Sequence, residues 1–335
     1  MHRIVLAAVA IAALGSGSAH GFSKLFASGD SLSDGGNAFA LTDVTNSLPP
    51  LHWPPSPPAA QRFSNGPTAV EVLAGGLGVP LTPSRLGGTN YAYGGATTGQ
   101  LNFNAAVGFP PGLPPALLET GMSSPAQVGQ FLSSIPPFNP ADTLFFLWGG
   151  PNDLLLAGAL SNNDPVKLAE AAAAAVENLA MLVGTLASVG AQQFLVPNMP
   201  NLGATPFGLA MGPVNAGKLT ALSQGFNAGL ATAMDQLDQL PNVNVIVFDT
   251  YSFFEQVRMG SSFSNVTQPC LGNLSTFAAG CPGFLFFDDT HPTAAAHALL
   301  GAAFQTALIP EPETWAMLAA GLLVLAVAVR RRRLA

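Results

Sequence analysis

The chain has 335 residues, of which 49% are hydrophobic and only 9% charged. That balance is too apolar for a disordered polymer and ample for a packed core, with length for one large domain or two small ones. The formal net charge is −7, but residues 22–309 hold only six basic against sixteen acidic residues, a net of −10, which gives no electrostatic footprint for nucleic acid.

In chain order, His2 and Arg3 precede an apolar run from Ile4 to Leu14 and small residues from Gly15 to Ala19. This is the layout of a secretory signal, with cleavage expected after Ala19 or Gly21, so residues 1–21 are set apart from the fold. The body then alternates strand and helix patterns. Strands are expected at 24–27, 89–93, 143–147, 193–196 and 243–248, and helices at 67–77, 125–133, 166–189, 216–240 and 293–308. Short apolar strands separated by helices argue for a parallel sheet covered on both faces, which binds ligands beyond the carboxyl ends of its strands. Two Pro-rich stretches, 48–58 and 109–115, can neither pair centrally nor continue a helix. They either drape over the rim of a site or are plain surface excursions.

Cys270 and Cys281 are the only two cysteines, and turn residues flank them. In an exported chain such a pair reads as a disulfide, worth about 3 kcal/mol in the chain-entropy account; the alternative is two buried thiols. Beyond residue 309, Pro310-Glu311-Pro312 breaks the last helix. Thr314 to Val329 is uncharged and almost wholly apolar, and Arg330 to Arg333 close it. As a helix this run spans about 24 Å, which flanking Trp315 and the arginines can extend toward a membrane span with the basic end cytoplasmic. The tail, residues 310–335, resembles the PEP-CTERM sorting signal of Gram-negative bacteria. The resemblance implies an exosortase-type processing partner, a transient membrane anchor through the C-terminal helix and delivery to the cell surface or beyond; a permanent anchor is the alternative.

Four short segments carry chemistry. Ser31, in Gly29-Asp30-Ser31-Leu32-Ser33-Asp34, sits where a strand gives way to a turn, with its N–H free to face developing negative charge. Asp288 precedes His291 by three residues, a spacing that brings a carboxylate to an imidazole across one turn. Gly94-Gly95 and Asn152 follow two other strands and can offer a backbone N–H and a side-chain amide to an oxyanion. His297, inside an Ala-rich helix, reads as structural.

Taken together, these segments resemble the GDSL lipase/acylhydrolase family, the SGNH hydrolases, whose four blocks appear here in order between about Phe26 and Leu308. The first block matches at Gly29 to Asp34, the second at Asn90 to Ala96, the third at Gly150 to Leu154 and the last at Asp288 to Pro292. The resemblance implies Ser31 as nucleophile, His291 as base and Asp288 as its orienting partner, with Asp289 at the wrong spacing. Ser31, Gly95 and Asn152 would form the oxyanion hole, with Gly94 as the fallback for Gly95. It also implies an α/β fold, a flavodoxin-like three-layer α/β/α sandwich with a central parallel sheet of about five strands in residues 22–309, and neither metal nor cofactor.

The function expected is therefore an exported serine ester hydrolase, a carboxylesterase or lipase. Two alternatives stand beside it: a carbohydrate O-deacetylase on extracellular polysaccharide, and a catalytically silent surface or matrix binding protein. Trp53 and Phe63 could meet either a sugar or an acyl chain.

Overall fold

A computed structural model describes residues 21–43, 53–54, 60–123 and 126–308. Nearly all of the N-terminal signal segment, the 310–335 tail and most of the first Pro-rich stretch lie outside the described residues.

β1 (Lys24–Gly29) leads through the serine turn into α1 (Asn37–Thr42) and then α2 (Ala69–Leu77). α3 (Phe103–Val107) and α4 (Gln127–Ser134) precede β2 (Thr143–Trp148). α5 (Pro151–Ser161) and α6 (Pro165–Ser188) lead to β3 (Gln193–Pro197), and α7 (Pro206–Ala210) and α8 (Pro213–Asp238) lead to β4 (Asn244–Phe248). α9 (Thr250–Met259), β5 (Asn265–Pro269), α10 (Leu274–Ala278), β6 (Phe284–Phe286) and α11 (Ala294–Ala307) follow.

The central sheet is parallel with order β1-β2-β3-β4. β2 is buried at every position, as a strand covered on both faces must be. Its side chains alternate between two helical layers. Phe145 stacks between Phe26 and Phe194 on one face, beneath α4 and α6. Phe146 and Trp148 pack edge-on against Phe304 of α11 on the other. Burying each such ring contributes about 1.5–3 kcal/mol. α6 turns a stripe at three- and four-residue spacing, from Leu168 through Ala175 and Leu179 to Leu186, onto the sheet. It starts where the sequence says it should, with Asp164 accepting the N–H of Val166 at 2.8 Å and Pro165 in the first turn.

The strand expected at 89–93 is not a regular strand, so among the described residues the central sheet has four strands rather than about five. The segment does run beside β1: Ala27 N–H donates to Thr89 O at 3.0 Å, and Tyr91 and Tyr93 N–H donate to Ala27 and Gly29 O at 2.7 and 3.2 Å. One side chain interrupts the ladder: Gln127 Oε1 takes the Gly29 N–H at 2.8 Å. With this segment counted at its edge, the order reverses direction at β1, and a crevice opens beyond the carboxyl ends of β1 and β2.

β5 and β6, absent from the sequence-based expectations, form a separate two-stranded parallel sheet. Cys270 and Cys281 are joined between them with Cα atoms 5.6 Å apart. Phe287 packs against the disulfide, and its carbonyl accepts the N–H of Leu271 at 2.9 Å. The bridge therefore holds the chain one residue before Asp288. Reduction, or Cys281→Ser, is expected to cost about 3 kcal/mol of stability and to lower activity in step. Thermal unfolding and turnover measured with and without reductant check this; no change in either would mean that the bridge does not support the loop.

Candidate active site

Ser31 lies two residues beyond β1, and three hydrogen bonds to Asp30 shape its turn. Asp30 O accepts the N–H groups of Ser33 and Asp34, both at 3.0 Å, and Asp30 Oδ1 accepts that of Leu32 at 2.9 Å. This leaves the Ser31 N–H without a partner among the described residues and its side chain facing the crevice.

Asp288 and His291 sit on the turn between β6 and α11. Phe287 N–H donates to His291 O at 2.7 Å, closing the turn. Asp288 Oδ1 accepts the N–H groups of Thr290 and His291 at 2.9 and 2.7 Å, which is why a three-residue spacing works. The carboxylate then meets the ring: Oδ2 lies 2.7 Å from His291 Nδ1. With Nδ1–H directed at Asp288, Nε2 is left as acceptor for the Ser31 hydroxyl, 2.6 Å away across 260 positions of sequence. Asp289, by contrast, bonds through its backbone carbonyl to the Phe207 N–H. His297 is buried elsewhere, its Nδ1 accepting the Ala69 N–H at 3.2 Å, and burial drives its pKa down to about 3.

Burial by itself would lower the pKa of His291, but the charge and hydrogen bond of Asp288, aided by Asp30, outweigh it and hold the pKa above the ordinary 6.5. For Asp288, burial works upward and is overcome by His291 and the two backbone N–H groups, so its carboxyl stays below the usual range. A base must be neutral to take a proton. Activity is thus expected to fall as pH drops, with kcat/KM titrating at an apparent pKa above 6.5. A limb at or below 6.5 in a pH–rate profile would contradict the pairing. Stability linked to His291 has the opposite sign: it is full below 6.5 and is lost as pH rises through the folded-state pKa.

The two other candidate donors arrive from the end of the extended 89–93 segment and from the turn after β2. Gly94 N–H is taken by Asp34 Oδ2 at 2.8 Å, whereas Gly95 N–H has no partner among the described residues and Gly95 lines the crevice. Neither glycine tolerates a side chain. A Cβ on Gly94 would fall 1.9 Å from the Phe63 ring, and Gly95 has φ +82°. Asn152, in the first turn of α5, directs Nδ2 at Ala96 O, 3.1 Å away, and at Asp30 Oδ2, 3.4 Å away.

Several supporting residues escaped the sequence reading. Asp34 accepts four backbone N–H groups, from Gly36, Asn37, Ala38 and Gly94, and so ties the serine turn to the paired glycines. Asp153 accepts both the N–H and the hydroxyl of Thr98, tying the Asn152 turn to the same loop. Burial raises the carboxyls of Asp34 and Asp153 to about 6 and that of Asp30 to about 7. Gln127 bonds Ser28 Oγ and both backbone groups of Gly29. Phe63 and Trp53, the aromatics the sequence does offer to a sugar or an acyl chain, are also here: Phe63 lies against the His291 ring at 5.3 Å and carries Trp53 on its edge at 5.7 Å. An acidic residue bonding N–H groups two and three positions ahead is the one local signal that could have flagged Asp34; Gln127 offered none.

These groups open into a cavity of about 570 Å³, lined mainly by apolar side chains such as Leu32, Phe63, Leu154, Phe207 and Phe254. Trp53 reaches it, so the first Pro-rich stretch does touch the rim, while residues 109–115 do not line it. Among the described residues no group of three or more His, Cys, Asp or Glu side chains is placed to hold a metal ion.

The family model for GDSL-like Lipase/Acylhydrolase matches residues 25–304. A GDSL esterase/lipase of Arabidopsis thaliana is 26% identical over 339 residues, covering 84% of each chain. The thermolabile hemolysin of Vibrio parahaemolyticus is 28% identical over 297 residues, covering 82% of this chain and 61% of that one. A solved structure of an acetylxylan esterase from Geobacillus stearothermophilus, in a catalytic mutant form, aligns with a TM-score of 0.42 at 13% identity, over 85% of this chain and 94% of that one.

Proposed function

Because the chain belongs to the GDSL-like lipase/acylhydrolase family, we propose that its esterase chemistry runs through an acyl-enzyme on Ser31, with His291 as base and Asp288 as its orienting partner. The observation that carries the reading is the continuous line Ser31 Oγ, His291 Nε2, His291 Nδ1, Asp288 Oδ2, with gaps of 2.6 and 2.7 Å. His291 takes the hydroxyl proton as Ser31 Oγ bonds to the ester carbonyl carbon. The carbonyl oxygen becomes an oxyanion that accepts from the Ser31 N–H, the Gly95 N–H and the Asn152 amide. His291 then gives its proton to the leaving alkoxide. Water repeats the sequence on the acyl-enzyme, with His291 as base, releasing the carboxylic acid and restoring the Ser31 hydroxyl.

As substrate we propose an acyl ester whose chain enters the cavity. The support is size and lining: an acetyl group would leave most of about 570 Å³ of largely apolar space unfilled. For p-nitrophenyl esters, kcat/KM should rise about fourfold for each added methylene until the cavity is full, from about 0.8 kcal/mol per buried CH₂. A preference for acetylated glycans with no gain from chain length would instead favour the O-deacetylase reading.

Export completes the proposal. Residues 1–21 would direct secretion, 22–309 would be the hydrolase, and 310–335 would be a sorting tail that anchors briefly in the membrane before exosortase-type processing. The sequence layout of the two ends supports this.

A further inference from the structure

The cavity beside Ser31 carries a pair of charged side chains away from the triad. Glu255 and Arg258, one turn apart on α9, both line it. Arg258 Nη1 donates to Glu255 Oε1 at 2.8 Å, and Asn201 Nδ2 donates to the same oxygen at 3.2 Å. The Asn201 amide is not free to turn over. Its Oδ1 accepts the Gly203 N–H at 3.1 Å and the Thr220 hydroxyl at 2.8 Å, which leaves Nδ2 for Glu255. The group is therefore a braced polar cluster rather than a loose surface pair, with Arg258 and Glu255 side chains only 23% and 29% exposed.

The bracing does not satisfy Arg258. Among the described residues Glu255 is its single side-chain hydrogen-bond partner, and the Nε–H is buried with none. A guanidinium presents five N–H donors, so Arg258 keeps donors that Glu255 does not use. The Nη donors that Glu255 does not take belong to a partly exposed side chain on the cavity wall, where they can meet an acceptor oxygen of whatever fills the cavity.

We propose that Arg258, held by Glu255 and Asn201, is a specificity-determining residue that hydrogen-bonds an uncharged oxygen of the ester substrate, a hydroxyl or a second ester carbonyl remote from the scissile bond. The acceptor is uncharged for two reasons. Glu255 already neutralises the guanidinium, and a carboxylate or phosphate entering there would face the Glu255 carboxylate. The body's net charge of −10 adds to the repulsion. The substrate class is thus an ester with an apolar stretch ending in a neutral oxygen function, such as a hydroxyacyl ester or a partial ester of a polyol. This rests on the Ser31 esterase reading.

The test uses the full chain and matched p-nitrophenyl and alkyl esters over a range of chain lengths. Each pair differs only in a terminal methyl or a terminal hydroxyl, in an acyl series and an alcohol series. The wild type should favour the hydroxyl member over the methyl member at one chain length. In Arg258→Leu that ratio of kcat/KM values should fall by about ten- to a hundredfold, the worth of a hydrogen bond to a charged donor. Arg258→Lys, which keeps the charge but not the fork, should restore part of it. Using a ratio within each variant separates altered recognition from partial misfolding. A ratio unchanged by Arg258→Leu in both series overturns the proposal, as does a wild-type preference for carboxylate-terminated esters. Loss of all turnover on the simple esters of the wild type would instead count against the esterase reading itself.

Discussion

Ser31→Ala should reduce ester hydrolysis by about 10⁴-fold or more while leaving the fold intact. The substitution removes one oxygen from a side chain whose one side-chain bond among the described residues is to His291 Nε2, so little packing is lost. His291→Ala should cost a similar amount, because an alcohol is a weak nucleophile until a base takes its proton. The double variant should be little worse than either single one, since the two groups act as a unit. Additive losses, or substantial turnover in Ser31→Ala, would mean that the hydroxyl and the imidazole work in separate steps. Thermal unfolding of each variant separates lost chemistry from lost structure.

Asn152→Ala is expected to lower kcat by about 10²–10³-fold with a much smaller change in KM. The reason is differential: a donor that strengthens its bond as the carbonyl becomes an oxyanion helps the transition state more than the bound ester. Asn152 Nδ2 already points at Ala96 O and Asp30 Oδ2, at 3.1 and 3.4 Å. Its amide is thereby preoriented, and these long contacts can be shared with an incoming oxyanion. A loss confined to KM would show that Asn152 only binds ground-state substrate.

What the sequence made legible is local in character. Ser31, Asn152 and the Asp288–His291 pair each sit on a short turn whose residues bond one another within three positions. Polar side chains at such turns stand out against a chain this apolar. The buried strands and the long helices α6 and α8 were equally plain, being runs with a clear period or none. The irregular 89–93 segment was not, because Gln127 interrupts its ladder from 98 positions beyond Gly29. Helices of five or six residues, such as α1, α3 and α7, are too short for a period to register. The preference for Gly95 over Gly94 came from the resemblance; what physically separates the two is Asp34, 60 positions away, which occupies the Gly94 N–H. The Arg258 cluster was hidden for the same reason, since Asn201 and Glu255 meet across 54 positions.

A serine made nucleophilic by one histidine, as proposed for Ser31 and His291, is open to covalent labelling. A fluorophosphonate probe tests this directly, because it bonds covalently only to a hydroxyl activated in this way. Mass spectrometry of the labelled, digested protein should find a single adduct, on Ser31, whose formation slows sharply in His291→Ala. Continued ester hydrolysis by protein that takes no label, or an adduct on a different residue, would contradict the account.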